Sequence, residues 1–307
     1  MTATIAVALP NQEMLERLSP PPEGVSFFVW DVEDTPIEAQ IDLLVLRYMV
    51  APTALRLLKG RAVSVIQSQS LGFDGIQENL PAGLVYCNAL EVHEASTAEL
   101  VLALTLASLR GLPELFAAQS QRRWQHAQFP GLAGRKVLLI GTGGVGRQIQ
   151  KRLLAFEVDL IRIARNPRDD ESGHIHDLES LSLLLPTAEV VVLAIPLTAE
   201  TRGLVSPDFL ARMKVGSLLV NVSRGSVIDT DALTEAVARG RVRAALDVTE
   251  PEPLPACHRL WTLPGVIITP HVGGHTGAMA GRIDRLINKQ IRLAQAGLPP
   301  VNVVLST

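Results

Sequence analysis

Two cysteines in 307 residues, Cys87 and Cys257, are too few and too far apart for a disulfide framework or a metal-binding cluster. They read as reduced intracellular thiols, and no metal is expected. No run of about 18 apolar residues offers a membrane span, and no basic-then-apolar leader opens the chain. The expectation is a cytoplasmic protein with no membrane partner. A basic excess is also missing. The 28 Lys and Arg stand against 31 Asp and Glu, a formal charge of −3, which argues against nucleic acid as a partner. Repeats and low-complexity segments are absent. Hydrophobic residues make up 47% of the chain, enough to fill cores, and its length points to two domains.

The most informative stretch that is present runs from Lys136 to Arg165. Lys136-Val-Leu-Leu-Ile140 is a short run of strand formers, and Gly141-Thr142-Gly143-Gly144-Val145-Gly146 comes at once after it. Helical periodicity then continues from Arg147 to Phe156. A GxGxxG pattern between a strand and a helix predicts a dinucleotide-binding turn. Gly141 permits the tight turn, Gly143 lets backbone N–H groups approach a pyrophosphate, and Gly146 lets helix and strand pack closely. The helix N-terminus adds partial positive charge.

A second absence lies just beyond. The next strand, Leu160–Ala164, ends without the acidic residue that would accept hydrogen bonds from the ribose hydroxyls of NAD. Ala164, Arg165 and Asn166 stand there instead, with Pro167 and Arg168 beyond. A guanidinium at this point matches a phosphate monoester. NADP(H) is therefore the expected cofactor, with NAD(H) possible.

The pattern is α/β throughout. Ile5–Leu9, Val25–Trp30, Leu43–Leu46 and Val63–Ile66 read as strands of a parallel-sheet first domain. Ser96–Arg110 is a long apolar helix suited to burial between domains or subunits. Further strands are predicted at Val190–Ala194, Ser217–Asn221, Arg243–Leu246 and Val266–Thr269. A helix is predicted from Gly277 through Gln295, and the tail Val301–Leu305 can return to the first domain. Two doubly wound parallel-sheet domains are expected, a Rossmann domain at 94–276 inserted into a flavodoxin-like one at 1–93 plus 277–307. The site is expected in the cleft between them. Trp124 and the methionines read as packing residues.

Several further motifs stand in register with the glycine turn: Gly134–Gly141 leading into it, Ala194-Ile-Pro-Leu-Thr198 with Glu200-Thr201, and Asn221-Val-Ser-Arg-Gly225 with Val227-Ile-Asp229. Ala245-Leu-Asp247-Val248, Glu252-Pro253 and Thr269-Pro-His271 complete the set. In this order and spacing they resemble the D-isomer-specific 2-hydroxyacid dehydrogenase family. In the first domain, Gln69-Ser-Leu-Gly-Phe-Asp74 looks like the family's substrate-side loop, and Thr97-Ala-Glu99 like its interdomain crossing. The Arg165 end of the second strand looks like the glyoxylate/hydroxypyruvate reductase branch. Leu71 stands where phosphite-oxidising relatives carry a lysine, which argues against phosphite. The regulatory domain of some phosphoglycerate-type relatives is not expected.

The resemblance implies hydride transfer between a nicotinamide cofactor and a small 2-keto or D-2-hydroxy acid. It assigns the proton to His271, the side-chain type suited to giving or taking a proton in either direction, and makes Glu252 the carboxylate that orients it. Arg224 would bind the substrate carboxylate and polarise the carbonyl, helped by backbone N–H groups at Leu71 and Gly72. To the cofactor it gives Thr97, Gly141, Gly143, Gly144, Val145, Gly146, Ala164, Arg165, Asn166, Pro196 and Thr201. Val222, Ser223, Asp247, His271, Gly273 and Gly274 complete that set. Arg47, Tyr48 and Met49 are expected to line the pocket, and Asp247 to help structure the site. No role is read for His93 or the other histidines. Related enzymes dimerise through their nucleotide domains, so a homodimer with Ser96–Arg110 at or under the interface is expected. Each residue also has a plainer reading: His271 as a buried strand-end histidine, Arg224 as a turn cap, Glu252 as a surface carboxylate. A nucleotide-sensing corepressor of the same fold is the rival function, and another Rossmann enzyme, such as an alanine dehydrogenase, is a second.

Overall fold

The computed structural model describes residues 4–307. In chain order they form β1 (Ile5–Leu9), α1 (Gln12–Leu18), β2 (Val25–Val29), β3 (Ile41–Val45), β4 (Val63–Gln67) and β5 (Val85–Cys87). Then come α2 (Glu94–Leu109), α3 (Leu112–Ser120), β6 (Lys136–Ile140), α4 (Gly144–Leu153), β7 (Asp159–Ile163), β8 (Arg168–Asp170) and β9 (Gly173–His176). The next elements are α5 (Leu181–Leu184), β10 (Val190–Leu193), α6 (Pro207–Arg212), β11 (Ser217–Asn221), α7 (Thr230–Ala238) and β12 (Val242–Leu246). The last are β13 (Val266–Ile268), α8 (Met279–Gln295) and β14 (Val303–Ser306). The chain divides into two compact units, one of residues up to His93 with Gly277–Thr307, the other Glu94–Thr276.

The first unit holds a six-stranded sheet in the order β14-β5-β4-β3-β1-β2. The five consecutive strands are parallel and take the flavodoxin order, while β14 joins β5 antiparallel. Both faces of the central strands are covered, so β1 reads as a continuous apolar run and β3 is interrupted only by Asp42. Ile41 and Leu44 pack in the cluster with Leu55 and Tyr86, whereas Leu43 and Val45 pack with Ile283 and Ile287 of α8.

The second unit carries an eight-stranded sheet, β13-β12-β11-β10-β6-β7-β9-β8. From β9 to β13 it is parallel, and β8 closes one edge antiparallel to β9. Alternation along β6 sends Leu138 and Ile140 to one core and Val137 and Leu139 to the other. Helix α2 contributes Val101, Leu102 and Leu104 to that second core. Its apolarity is thereby accounted for within the unit.

Three expectations change here. Helix α4 begins at Gly144, three residues before the periodic apolar run, because the glycine turn itself enters the helix. Residues 168–176, for which the sequence pattern predicts no element, form the β8–β9 hairpin. Trp124 is not a packing residue within this chain: it is 97% exposed, on the exposed segment 121–128 that follows α3. Phe116 of α3 is exposed as well, at 62%. Among the described residues no single helix is long and apolar enough to cross a membrane.

Candidate active site

One row of paired residues crosses the second sheet: Ile163, Ile140, Leu193, Asn221, Leu246 and Ile268. These strands are parallel, so the chain leaves the same edge after each of them. Ligand sites in open α/β sheets are built at this carboxyl edge. Almost every residue proposed for the cofactor or the chemistry lies just past that row.

After Ile140 comes the glycine turn. Gly141 has φ +109°, and a Cβ there would lie 2.1 Å from the Ala194 carbonyl oxygen. A Cβ on Gly146 would lie 2.0 Å from the Gly141 carbonyl oxygen, so helix and turn touch backbone to backbone. Gly143 is different. It is exposed, with nothing within 4 Å of where its Cβ would stand, and it caps α4 with no side-chain hydrogen bond. Open space over the first turn of a ten-residue helix, whose leading N–H groups have no intrahelical partner, fits the pyrophosphate of a dinucleotide. Gly144 and Val145 begin that turn.

After Ile163 the chain passes Ala164, whose N–H donates to the His176 carbonyl at 2.9 Å, and enters the hairpin. Arg162 of β7 is buried and holds both carboxylate oxygens of Asp170, at 2.7 and 2.8 Å, and the Gly173 carbonyl at 2.9 Å. That hydrogen bonding, with the Ser172 N–H, holds the Asp170 carboxyl below the usual carboxylate range. The pair closes the hairpin and sets the position of Arg168. The Arg168 guanidinium reaches back to the glycine turn, donating to Thr142 Oγ1 at 2.9 Å and to the Asn166 carbonyl at 3.2 Å. Arg165 is exposed, 3.8 Å from the Glu200 carboxylate. Two guanidiniums therefore flank the end of β7, and no acid occupies Ala164 or Asn166.

After Leu193, the segment 196–201 folds on itself: Thr201 Oγ1 donates to the Pro196 carbonyl at 2.7 Å and accepts from the Thr198 N–H at 2.8 Å. After β11, Asn221 is fully buried and braces the next turn, accepting from the Ser223 N–H and donating to the Arg224 carbonyl, both at 3.0 Å. Val222 continues the ladder to Leu193. A Cβ on Gly225 would lie 1.9 Å from the Thr249 carbonyl oxygen, so the Arg224–Gly225 turn packs directly on the segment leading to Glu252.

The loop after β13 carries His271, and Asp247 at the end of β12 organises it. Asp247 is 3% exposed. Its Oδ1 accepts from Thr269 Oγ1 at 2.6 Å and the Val272 N–H at 3.0 Å, and its Oδ2 from the Gly273 N–H at 2.9 Å. A Cβ on Gly273 would press on Asp247 and on Thr97 of α2. The Gly274 carbonyl accepts from the Thr276 N–H. His271 is held at φ +53°, the left-handed region, with its N–H on the Asp247 carbonyl at 2.8 Å. A non-glycine residue in that region is a strained position that its surroundings impose.

The ring this presents is half-buried, and its Nδ1 is 2.6 Å from Glu252 Oε1. Burial alone would push the Glu252 carboxyl up. The hydrogen bond and charge of His271, the Thr249 N–H and the charge of Arg224 outweigh it and hold the carboxyl below its usual range. With Nδ1 bound to the carboxylate, Nε2 is the atom left to exchange a proton with a ligand.

The second unit thus brings together Arg224, Glu252, His271, the glycine turn and their supports. Leu71 and Gly72 belong to the first unit, where the Leu71 carbonyl accepts from Asn88 Nδ2 at 2.9 Å. Arg47 there is clamped by Asp31 and by Glu33. Residue spacing offers no sign of the Arg168–Thr142 contact or the Arg162–Asp170 pair. One cue to Asn221 exists, a polar residue closing the apolar run Leu218–Val220.

A family model described as D-isomer specific 2-hydroxyacid dehydrogenase, NAD binding domain, matches residues 102–273. A D-3-phosphoglycerate dehydrogenase of Methanocaldococcus jannaschii is 33% identical over 98% of this chain. The chain spans 55% of that relative's length. The human glyoxylate reductase/hydroxypyruvate reductase is 35% identical over 78% of this chain and 76% of its own. A solved D-isomer specific 2-hydroxyacid dehydrogenase from Xanthobacter autotrophicus Py2, in complex with NADPH and MES, matches with a TM-score of 0.82 at 26% identity. That match covers 99% of this chain and 98% of the other.

Proposed function

The chain belongs to the D-isomer specific 2-hydroxyacid dehydrogenase family, and from that premise we propose that it reduces a small 2-keto acid, of the glyoxylate or hydroxypyruvate kind, with NADPH. The observation that carries the reading is the His271–Glu252 pair at 2.6 Å, aimed by the Asp247-held loop and set beside Arg224.

The bound nicotinamide supplies the hydride. Reduction also needs a proton for the new alkoxide and a cation for the carboxylate and the carbonyl oxygen. His271 supplies the proton from Nε2 and takes it back in the reverse direction. Glu252 stabilises the imidazolium and fixes the ring orientation. Arg224 binds the carboxylate and polarises the C=O as negative charge grows on oxygen. Backbone N–H groups at Leu71 and Gly72 are the proposed further donors to the carboxylate.

Residues 141–146 would hold the pyrophosphate. Arg165 and Arg168 would read a 2′-phosphate, which favours NADPH over NADH. The NADPH complex of the Xanthobacter enzyme supports that preference. We also propose a homodimer formed through the nucleotide unit, supported by the exposed Phe116 and Trp124.

The test is His271→Ala, assayed by NADPH absorbance with glyoxylate and hydroxypyruvate. Loss of general acid catalysis should lower kcat by about 10²–10⁴, with the KM for NADPH little changed. Turnover close to that of the parent enzyme would remove His271 from the acid role.

A further inference from the structure

We propose that His93, for which the sequence pattern indicates no role, is a positioning residue for the carboxylate-binding loop Gln69–Gly72; the inference rests on the keto-acid reading above.

Consecutive carbonyls of this loop are all turned back into the first unit. The Gln69 carbonyl is 2.6 Å from His93 Nε2. The Ser70 carbonyl accepts from the Ala89 N–H at 3.0 Å, and the Leu71 carbonyl from Asn88 Nδ2 at 2.9 Å. The Gln69 side chain adds a hold on the end of the neighbouring strand, donating to the Leu46 carbonyl just past β3 at 2.7 Å. Three anchors thus come from one short stretch, residues 88–93. That stretch is itself fixed: Arg282 of α8 donates to the Val92 carbonyl at 2.8 Å, and the Asn88 N–H to the Asn302 carbonyl at 3.0 Å.

With its carbonyls bound inward, the loop keeps the N–H groups of Leu71 and Gly72 without an acceptor among the described residues. Two adjacent N–H groups without a protein acceptor, on a braced backbone, are left available to an anion. His93 is the anchor at the start of that loop. A carbonyl oxygen can only accept, so Nε2 must carry the hydrogen. The ring is buried and lies 5.7 Å, centroid to centroid, from that of Tyr48. Truncating it leaves a carbonyl without its partner and lets the loop rotate away from the geometry the carboxylate needs.

The experiment uses the full chain with glyoxylate and NADPH. His93→Phe keeps a ring but has no donor, and should raise the glyoxylate KM about tenfold, the scale of one lost buried hydrogen bond. kcat at saturation and the NADPH KM should stay within about twofold of the parent. His93→Gln can offer an amide N–H to Gln69 and should recover most of the affinity. Amide exchange supplies a readout independent of turnover. Ser70 and Ala89, whose N–H groups are bound to Ser68 Oγ and to the Ser70 carbonyl, should exchange faster in the Phe variant, with β4 unchanged. An unaltered glyoxylate KM with unaltered exchange at Ser70 and Ala89 would overturn the proposal. So would equal loosening of β4, which makes His93 a general stabiliser. A parent enzyme that reduces no 2-keto acid would sink the functional reading instead, and the exchange comparison would still decide what His93 holds.

Discussion

Two loops at the same edge of the second sheet are fixed by opposite means. The turn at 141–146 is held by what its residues lack: without Cβ atoms, Gly141 and Gly146 lie against backbone oxygens. The loop at 269–274 is held by what one residue adds, since Asp247 gathers three donors onto a single carboxylate. The first device is local and leaves an open face for a ligand. The second reaches across 22 to 26 residues of chain and bends His271 into a conformation its own backbone disfavours. Binding by subtraction suits a cofactor cradle, where close approach matters. Positioning by addition suits a proton donor, where one atom must be aimed.

The comparison can be broken most severely at Gly141. Gly141→Ala drives a Cβ into the Ala194 carbonyl and imposes a side chain at φ +109°. It should weaken NADPH binding on the order of a hundredfold or more and lower Tm by several degrees, both readable by titration and calorimetry. Gly143→Ala is the control: its Cβ meets no protein atom, so Tm should hold while affinity falls. Unchanged affinity there would mean that no ligand approaches Gly143.

Asp247→Asn attacks the other device. An amide nitrogen cannot accept, so one or more of the three bonds is lost. A fall in kcat on the order of tenfold is expected, with Gly141-type loss of cofactor affinity absent. Equal losses in kcat and cofactor binding would make Asp247 a general brace rather than a device for aiming His271.

Glu252→Gln gives the smallest and most diagnostic effect. Without the carboxylate the imidazolium is less favoured, so reduction should fail at a lower pH and oxidation should persist to lower pH. Paired pH–rate profiles, with chemistry limiting, would show it; unmoved limbs in both directions remove Glu252 from the pair. Stability carries the same sign. The folded-state carboxyl lies below its usual value, so its contribution is present above about pH 4.5. It is lost as pH falls through the folded value, and the Tm difference between parent and variant should vanish in acid.

Legibility in the sequence divides along the same line. Subtraction leaves a local pattern, and the strand, glycine turn and helix from Lys136 onward are legible together. So are the apolar runs of β6, β10 and β11, because burial on both faces removes polar residues from the strand. Addition leaves no local pattern. Nothing in the spacing ties Asp247 to Gly273, or His93 to Gln69, since each bond depends on how distant segments meet. The hairpin at 168–176 escapes for another reason: Arg168, Asp169 and Asp170 are an exposed polar edge strand, indistinguishable in composition from a loop. Trp124 defies its expected burial because an aromatic residue's usual place in a core says nothing about a segment, 121–128, that is exposed along its whole length.

That hairpin has a further consequence. It lies at the sheet's margin, joined by the β7–β9 pairing and by the clasp of the buried Arg162 guanidinium on the exposed Asp170 carboxylate, and carries Arg168 at its entrance. If the guanidiniums beside Ala164 discriminate between the two nicotinamide dinucleotides, that discrimination resides on a cassette of about a dozen residues, tied to the interior through the buried Ile175 and the Asp170 partner of Arg162. Coenzyme choice then becomes a graftable trait, inherited or engineered separately from the acid–base chemistry several strands away.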